Sequence, residues 1–189
     1  MAASAHITTF TLWDTSDAPN PKELTPSQCP GCWHAHEARF TPDSKRLIVN
    51  DENVSPTVAC PGGGLFFYDI TGTGADRDVS FHGSYVIDDP VIAEGNNVGQ
   101  CTPHVFDLSS DGTKVAASWH SGGVRLLDIT KTAGVTVGTQ QRVGEGAREI
   151  ASYNTTGGDF FTAKIHNGPY VYGVDNNNGL VIFRAPGLE

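Results

Sequence analysis

Methionine, long apolar runs and basic residues are scarce in this sequence of 189 residues. It holds one Met, and its 12 Lys and Arg face 21 Asp and Glu, which gives a formal net charge of −9. A field of that sign repels phosphate backbones and anionic lipid surfaces, so we expect no nucleic-acid or membrane partner. No stretch approaches the roughly 18 apolar residues of a spanning helix, and residues 1–9 lack the basic start and apolar middle of a signal peptide.

Glycine and proline, by contrast, are plentiful. The chain has 22 Gly and 11 Pro but only 17% charged residues, a composition typical of many short strands and tight turns. Its hydrophobic content of 38% is enough for the core of one globular domain. We therefore expect a single all-β domain over residues 1–189 with almost no helix.

A short apolar string recurs along the chain. Residues 64–71 read GLFFYDIT and residues 123–130 read GVRLLDIT, and shorter copies lie at 10–15 and 179–184. The marker positions of the four copies are 55, 59 and 56 residues apart: Asp14, Asp69, Asp128 and Arg184. Such regular spacing indicates a repeated structural unit.

Each complete unit also has an upstream pair of strands joined by a turn. Strand 36–40 returns along 46–50, strand 104–108 returns along 115–119, and strand 160–165 returns along 170–174. Turns rich in Asp and Gly favour such hairpins. When Asp43 is aligned with Asp111, His36 falls on His104 without a gap.

A sheet of three or four strands cannot cover both of its faces alone, so neighbouring units must stack. Radial stacking predicts β-propeller blades of 3–4 antiparallel strands, about three and a half repeats in all. The units are roughly 1–28, 29–88, 89–145 and 146–189. A β-sandwich is the rival architecture, although it does not require one motif to recur four times.

These strings resemble the LVIVD-repeat β-propeller family of exported bacterial proteins. The matches are residues 10–21, Trp33 with the strand 36–40, the Cys-Thr-Pro-His segment at 101–104, and the last blade over 167–183. A more distant likeness is to the selenium-binding and methanethiol-oxidase propellers, whose histidines bind copper near the central channel. The resemblance implies a secreted repeat protein that serves as a binding scaffold.

Four cysteines, an even number, favour an oxidising and therefore extracellular or cell-surface location. The family pattern implies a disulfide between Cys60 and Cys101. Cys29 and Cys32 fall outside that pattern, and a local bridge is our prediction for them, with free thiols as the alternative. Read as a cytosolic motif, the Cys-Pro-Gly-Cys segment would be a redox or metal half-site, but no second such pair completes a four-cysteine zinc site.

Closed propellers need about four to eight blades, so three and a half repeats do not close a ring. We expect the chain to be the C-terminal part of a longer protein or to form a homo-oligomer.

Matched residues at the start of the innermost strands converge on the channel of a propeller. His36 and His104 are so matched, and His34 lies two residues earlier on the same strand face. Neutral imidazoles that converge suit copper or zinc, so these three are the candidate metal ligands. His120 and Glu52 also match one another, near the end of the second strand. The alternative is that these residues only hydrogen-bond within the turns of the repeat.

Calcium is the less favoured cofactor. Acidic clusters at 51–53, 88–89 and 175–178 offer oxygen ligands but lack the spacing of a known calcium loop. We identify no catalytic residue and no nucleotide-binding loop. The first functional hypothesis is an exported module that binds a protein or small-molecule ligand at its loops or channel mouth. The second is a copper- or zinc-dependent oxidoreductase, so whether the chain is an enzyme stays open.

Overall fold

The computed structural model describes residues 1–29, 32–54, 60, 62–87, 100–130, 134–135, 144–145, 147–166 and 168–188. Within these ranges the chain is all-β, with sixteen strands and one short 3-10 turn at Gly74–Asp76. None of the helical structure in the described ranges is long and apolar enough to cross a membrane. The predicted all-β class is confirmed.

Four small antiparallel sheets follow one another along the chain. The first contains β1 (Ala2–His6), β2 (Thr9–Asp14) and β3 (Lys22–Gln28). The second contains β4 (Ala35–Phe40), β5 (Arg46–Asp51), β6 (Gly64–Thr71) and β7 (Asp78–Tyr85). The third contains β8 (Phe106–Leu108), β9 (Lys114–Trp119), β10 (Gly123–Asp128) and β13 (Arg148–Tyr153). Between β10 and β13 in the chain, β11 (Gly134–Val135) and β12 (Gly144–Glu145) form a separate two-stranded pair. The fourth contains β14 (Phe160–Ile165), β15 (Tyr170–Asp175) and β16 (Gly179–Arg184).

In the second and third sheets the strands lie in the order in which the chain visits them, from β4 to β7 and from β8 through β9 and β10 to β13. The recurring apolar strings form β2, β6, β10 and β16, and each of these strands pairs with the strand before it in the chain. A further strand pairs with β2, β6 and β10, whereas β16 is the edge strand of its sheet. This repeated up-and-down sheet is a propeller blade, and four of them in succession make a partial β-propeller. The division into repeat units at 28/29, 88/89 and 145/146 stays a prediction, and the outer strand of the third sheet, β13, follows residue 145.

The hairpin turns of the second and third blades have the same pattern of internal hydrogen bonds. Thr41 Oγ1 donates to Asp43 Oδ1 at 2.7 Å, and Ser109 Oγ donates to Asp111 Oδ1 at 2.6 Å. The backbone N–H of Thr113 also donates to Asp111, and these bonds lower the pKa of Asp111 to about 2. The alignment of Asp43 with Asp111 therefore corresponds to one turn built twice.

The hydrophobic core lies between neighbouring blades rather than within one. Phe67 of the second blade and Leu127 of the third, both fully buried, belong to one cluster, and Phe10 and Tyr68 join the first blade to the second. A third cluster joins the last two blades. Each such side chain contributes about 1.5–3 kcal/mol through burial, so the blades stabilise one another.

Both predicted disulfides are present. Cys60 is bonded to Cys101, which ties the loop after the second strand of one blade to the start of the next, and Cys29 is bonded to Cys32. No described cysteine is free.

Removal of the long-range disulfide should cost more stability than removal of the local one. The Cys60–Cys101 bridge has a sequence separation of 41 and the Cys29–Cys32 bridge one of 3. Because loop-closure entropy grows with loop length, Cys60→Ser/Cys101→Ser should lower the free energy of unfolding by about 4 kcal/mol and Cys29→Ser/Cys32→Ser by about 2 kcal/mol. Urea denaturation of the two variants and the wild type measures this. An equal or larger loss in the local variant would contradict it.

Asp175 should make the fold sensitive to acid. Its carboxylate accepts hydrogen bonds from Thr155 Oγ1 and Asn178 Nδ2, both at 2.7 Å, and from the backbone N–H of Asp159. Burial opposes ionisation, but these bonds outweigh it and lower the pKa of Asp175 from 3.8 to about 2.

The stabilisation from a lowered pKa is complete above the unfolded value and is lost as the pH falls through the folded one. The free energy of unfolding should therefore fall more steeply between pH 6 and pH 2.5 in the wild type than in Asp175→Asn, by about 1–2 kcal/mol. Urea denaturation at the two pH values measures the difference, with the exposed Asp78→Asn as the matched control. Parallel pH profiles for the wild type and Asp175→Asn would contradict the role of this carboxylate.

Candidate metal centre

The candidate site lies where the innermost strands of the second and third blades begin. His36 is the second residue of β4, and His104 lies two residues before β8. Glu52 and His120 directly follow β5 and β9. In an antiparallel hairpin the start of the first strand and the end of the second meet at the same edge of the sheet. All four side chains therefore reach one rim of the propeller channel.

The carboxylate of Glu52 stands at the centre of this group. Its oxygens are 3.7 Å from Nε2 of His36, 4.0 Å from Nε2 of His104 and 3.4 Å from Nε2 of His120. The donor atoms of His36, Glu52 and His104 all lie within 4.8 Å of one another. His120 is outside that group and adjoins it through its contact with Glu52. A tetrahedral zinc ion with bonds of about 2.0–2.1 Å separates its ligands by roughly 3.4 Å, so the spacing suits one metal ion.

The other ring nitrogen of each histidine already has an oxygen partner. His36 Nδ1 lies 3.3 Å from the carbonyl oxygen of His104, and His104 Nδ1 lies 2.7 Å from that of Phe161. His120 Nδ1 lies 2.7 Å from Oδ1 of Asp159. A carbonyl oxygen can only accept, so Nδ1 of His36 and of His104 carries the proton. His120 has a carboxylate beside each ring nitrogen, Asp159 at Nδ1 and Glu52 at Nε2.

With the proton on Nδ1, His36 and His104 turn the lone pair of Nε2 toward the Glu52 carboxylate, whereas His120 makes a hydrogen bond to Glu52 through its Nε2. Lone pairs and a carboxylate that face each other across 3.7–4.0 Å repel unless a cation lies between them. Metal-binding histidines have this same arrangement, in which Nδ1–H is held by an oxygen and Nε2 is free. The donors of His36, Glu52 and His104 fit a metal ion with their other hydrogen bonds kept, and His120 could join them by exchanging its hydrogen bond to Glu52 for the metal.

Burial and charge set the protonation of the site. Burial lowers the pKa of His104, which keeps this imidazole neutral near pH 7. Burial alone would raise the pKa of Glu52, but the hydrogen bond to His120 and the neighbouring imidazoles His104 and His36 lower it, so the carboxylate is ionised. Burial alone would lower the pKa of His120, but its bonds to Glu52 and Asp159 raise it.

One side of the site is open and one is closed by an aromatic ring. The side chain of His36 is 32% exposed, whereas those of Glu52, His104 and His120 are 8–11% exposed. Phe161 occupies the position of the fourth blade that matches His36 and His104, and its ring centre lies 3.8 Å from that of His104. The fourth blade therefore supplies an apolar wall instead of another imidazole.

Two of the three ligands predicted from the sequence come together and the third does not. His36 and His104 face each other with ring centres 4.6 Å apart. His34 precedes β4, its ring centre is 6.1 Å from that of His36, and it is not in the group of donors that could share an ion. The strand does not extend back to His34, so the alternation that predicted a shared face does not apply there.

Glu52 and His120 match one another in the repeat, but neither residue was among the predicted ligands. A signal was present, because Glu52 follows His36 by sixteen residues and His120 follows His104 by the same number. Equal offsets from matched residues place both pairs at one rim.

In the described residues, the acidic clusters considered for calcium accept hydrogen bonds from backbone N–H groups. Asp51 Oδ1 accepts the N–H groups of Trp33 and His34, and Asp175 accepts those of Asp159 and Asn177. The cluster at 88–89 lies outside the described residues.

A second concave region lies between the second and third blades at the opposite end of their strands. This cleft of about 680 Å³ is lined by Arg46, His82 and Asp111, among others. The Arg46 guanidinium donates to Asp69 and to the carbonyl of Ile129, so it links the second blade to the third.

Comparisons with solved structures agree with the fold. The Cps50 (Swd1) β-propeller domain of Myceliophteria thermophila aligns over 95% of this chain and 46% of that chain, with a TM-score of 0.58 and 10% sequence identity. A protein of Bacteroides uniformis named as a candidate 6-phosphogluconolactonase aligns over 94% of this chain and 44% of its own, with a TM-score of 0.53 and 14% identity. At these identities the likeness shows the fold alone.

This chain spans less than half the length of those two structures. No family model matches it, and no curated protein matches its sequence. The resemblance to the LVIVD-repeat family therefore stays a prediction, and what the comparisons establish is that the chain is part of a β-propeller.

Proposed function

We propose that this chain is a metal-binding propeller module in which His36, Glu52, His104 and His120 hold one zinc or copper ion at the rim of the channel. The observation that carries the proposal is the orientation of the three imidazoles. Each has its Nδ1 beside an oxygen and its Nε2 within 4.0 Å of a Glu52 oxygen.

The donor set favours zinc or copper over calcium. Three imidazole nitrogens and one carboxylate oxygen suit borderline transition metals, whereas calcium takes six to eight oxygen ligands. When bound, such an ion would supply a Lewis acid at the exposed side of the site, beside His36. The carboxylate of Asp159 would hold His120 in the tautomer that leaves Nε2 free.

We further propose that the protein is exported and that the channel mouth binds a protein or small-molecule ligand. The two disulfides support an oxidising compartment. The partial exposure of His36 leaves a side from which a ligand could approach the ion. A copper- or zinc-dependent oxidoreductase is the second candidate, and the same donor set is the observation that favours it.

Metal titration tests the site directly. Protein stripped with a chelator should bind Zn²⁺ or Cu²⁺ at about one equivalent in isothermal titration calorimetry. His36→Ala should weaken that binding at least tenfold because it removes one ligand. His36 is the most exposed of the four residues, so its loss should leave the fold intact.

His34→Ala is the matched control, since it removes a neighbouring imidazole that lies outside the group of donors. It should bind metal as the wild type does. Fewer than about 0.1 equivalents bound by the wild type, or equal affinity in the wild type and His36→Ala, would overturn the proposal.

Asp159 should act as a positioning residue for the metal. Its Oδ1 lies 2.7 Å from His120 Nδ1, and an amide in its place could turn its N–H₂ group toward the ring and favour the wrong tautomer. Asp159→Asn should lower the metal affinity by about 10- to 100-fold while the melting temperature of the metal-free protein changes little. The exposed Asp17→Asn is the control. Unchanged affinity in Asp159→Asn would contradict the role of His120 as a ligand.

A further inference from the structure

The two disulfides of the chain lie in different settings. The Cys60–Cys101 bridge joins distant parts of the chain and belongs to the core between the second and third blades. Cys29 and Cys32 are three residues apart in the connection from β3 to β4. Cysteines at this close spacing are typical of disulfides that exchange with other thiols. The local pair is therefore the candidate for chemistry, and the long-range bridge is the candidate for structure.

The two cysteines of the local pair differ in burial. Cys29 is 3% exposed and lies in the cluster between the first and second blades. Cys32 packs against the same cluster but is only partly buried. An external thiolate attacks the disulfide sulfur that it can reach, and the other sulfur leaves with the electrons of the bond. Attack should therefore fall on Cys32, with Cys29 as the leaving group.

A hydrogen-bond donor is aimed at the leaving sulfur. The hydroxyl of Tyr68 donates to Cys29 Sγ at 3.2 Å, and Tyr68 itself is 3% exposed. Burial, together with the nearby carboxylate of Asp51, raises the pKa of Tyr68, so the phenol keeps its proton. A thiolate that forms beside this donor gains a charge-assisted hydrogen bond. The contact therefore favours cleavage of the S–S bond toward Cys29.

The residues at both ends of the pair are held by hydrogen bonds that do not involve sulfur. The backbone N–H of Cys29 donates to the carbonyl oxygen of Thr8 at 3.2 Å. The N–H groups of Trp33 and His34 donate to Oδ1 of the fully buried Asp51. The two α-carbons of the pair are 5.4 Å apart. Reduction should therefore leave the backbone in place, with the two thiols close enough to form the bond again.

We propose that Cys29 and Cys32 form a thiol–disulfide exchange site that a dithiol reduces reversibly, whereas the Cys60–Cys101 bridge stays closed. One thiolate of the dithiol attacks Cys32 Sγ. A bond forms between these two sulfurs, the bond to Cys29 Sγ breaks, and its electron pair leaves on Cys29 Sγ beside the Tyr68 hydroxyl.

The second thiolate of the dithiol completes the exchange. It attacks the first sulfur of the same dithiol, which releases Cys32 as a thiolate. The dithiol is oxidised to its disulfide by two electrons, and the protein disulfide is reduced by the same two. The two protons of the dithiol pass through solvent to Cys29 and Cys32. The oxidised dithiol reverses both steps.

Selective reduction tests the site. The folded protein is treated with dithiothreitol, quenched by alkylation, and analysed by peptide mass spectrometry. The local pair should be reduced about tenfold faster than the Cys60–Cys101 bridge. In mixtures of reduced and oxidised dithiothreitol, its equilibrium should lie about tenfold further toward the thiols, a difference of about 30 mV. Circular dichroism should show the same β-sheet signal before and after reduction of the local pair.

The long-range bridge is the control within the same molecule. Reduction of both disulfides together would overturn the proposal, as would earlier reduction of the Cys60–Cys101 bridge. Loss of the β-sheet signal when only the local pair is reduced would also overturn it.

Two single variants test which sulfur is attacked. Cys29→Ser leaves a thiol at the partly buried position, and Cys32→Ser leaves one at the buried position. Under native conditions, iodoacetamide should alkylate Cys32 in the first variant about tenfold faster than Cys29 in the second, because access limits the reaction. Equal rates, or faster alkylation of Cys29, would contradict the assignment of Cys32 as the attacked sulfur.

Tyr68→Phe tests the hydroxyl. The ring keeps its place against Phe10, whose centre is 4.7 Å away, but the leaving thiolate loses its donor. Reduction of the local pair by dithiothreitol should be about tenfold slower, since a hydrogen bond to a charged group is lost. Tyr153→Phe, in a ring stacked on Phe183, is the matched control and should keep the wild-type rate. A wild-type rate in Tyr68→Phe would contradict the assignment of Cys29 as the leaving group.

Discussion

Every blade of this protein is a thin sheet with two faces to cover, and that constraint governs the rest of the structure. A sheet of three or four strands has no interior of its own, so its apolar side chains are buried only by the next blade. The core is accordingly divided into clusters that each join two neighbours. Phe67, for example, lies in one cluster with Val115 of β9 and Leu127 of β10.

The same stacking creates the candidate metal centre. Blades that pack face to face around a channel bring the same edge of each sheet to the same rim, so residues at equivalent positions meet although they are 68 residues apart in sequence. His36 meets His104 in this way, and Glu52 meets His120. A mutation that shifts one blade against its neighbour would therefore disturb the site without touching a ligand.

The fold was predictable because the repeat is written into the sequence. The strings at 64–71 and 123–130 became β6 and β10, and the turn that contains Asp43 is built again around Asp111. The site was half predictable. Matched positions predicted that His36 and His104 lie close together, as they do, whereas β4 begins at Ala35 and His34 lies outside the group of donors.

The remaining features of the site depend on packing between blades, and no pattern in a single sequence predicts those contacts. The carbonyl oxygen of Phe161 fixes the tautomer of His104, and no motif marks a backbone atom as a partner. Asp159 reaches His120 from the connection into the fourth blade, a contact set by the blade-to-blade angle. Equal offsets of sixteen residues were the one signal in the sequence that could have added Glu52 and His120.

The proposed metal site depends most on the convergence of four repeat-related side chains on a single point. The most direct measurement is a crystal structure of the protein loaded with zinc, with anomalous diffraction recorded at the zinc edge. The account predicts one anomalous peak about 2.0–2.2 Å from Nε2 of His36, His104 and His120 and from a Glu52 oxygen. A structure in which these nitrogens point away from one another, or a peak at other residues with none here, would contradict it.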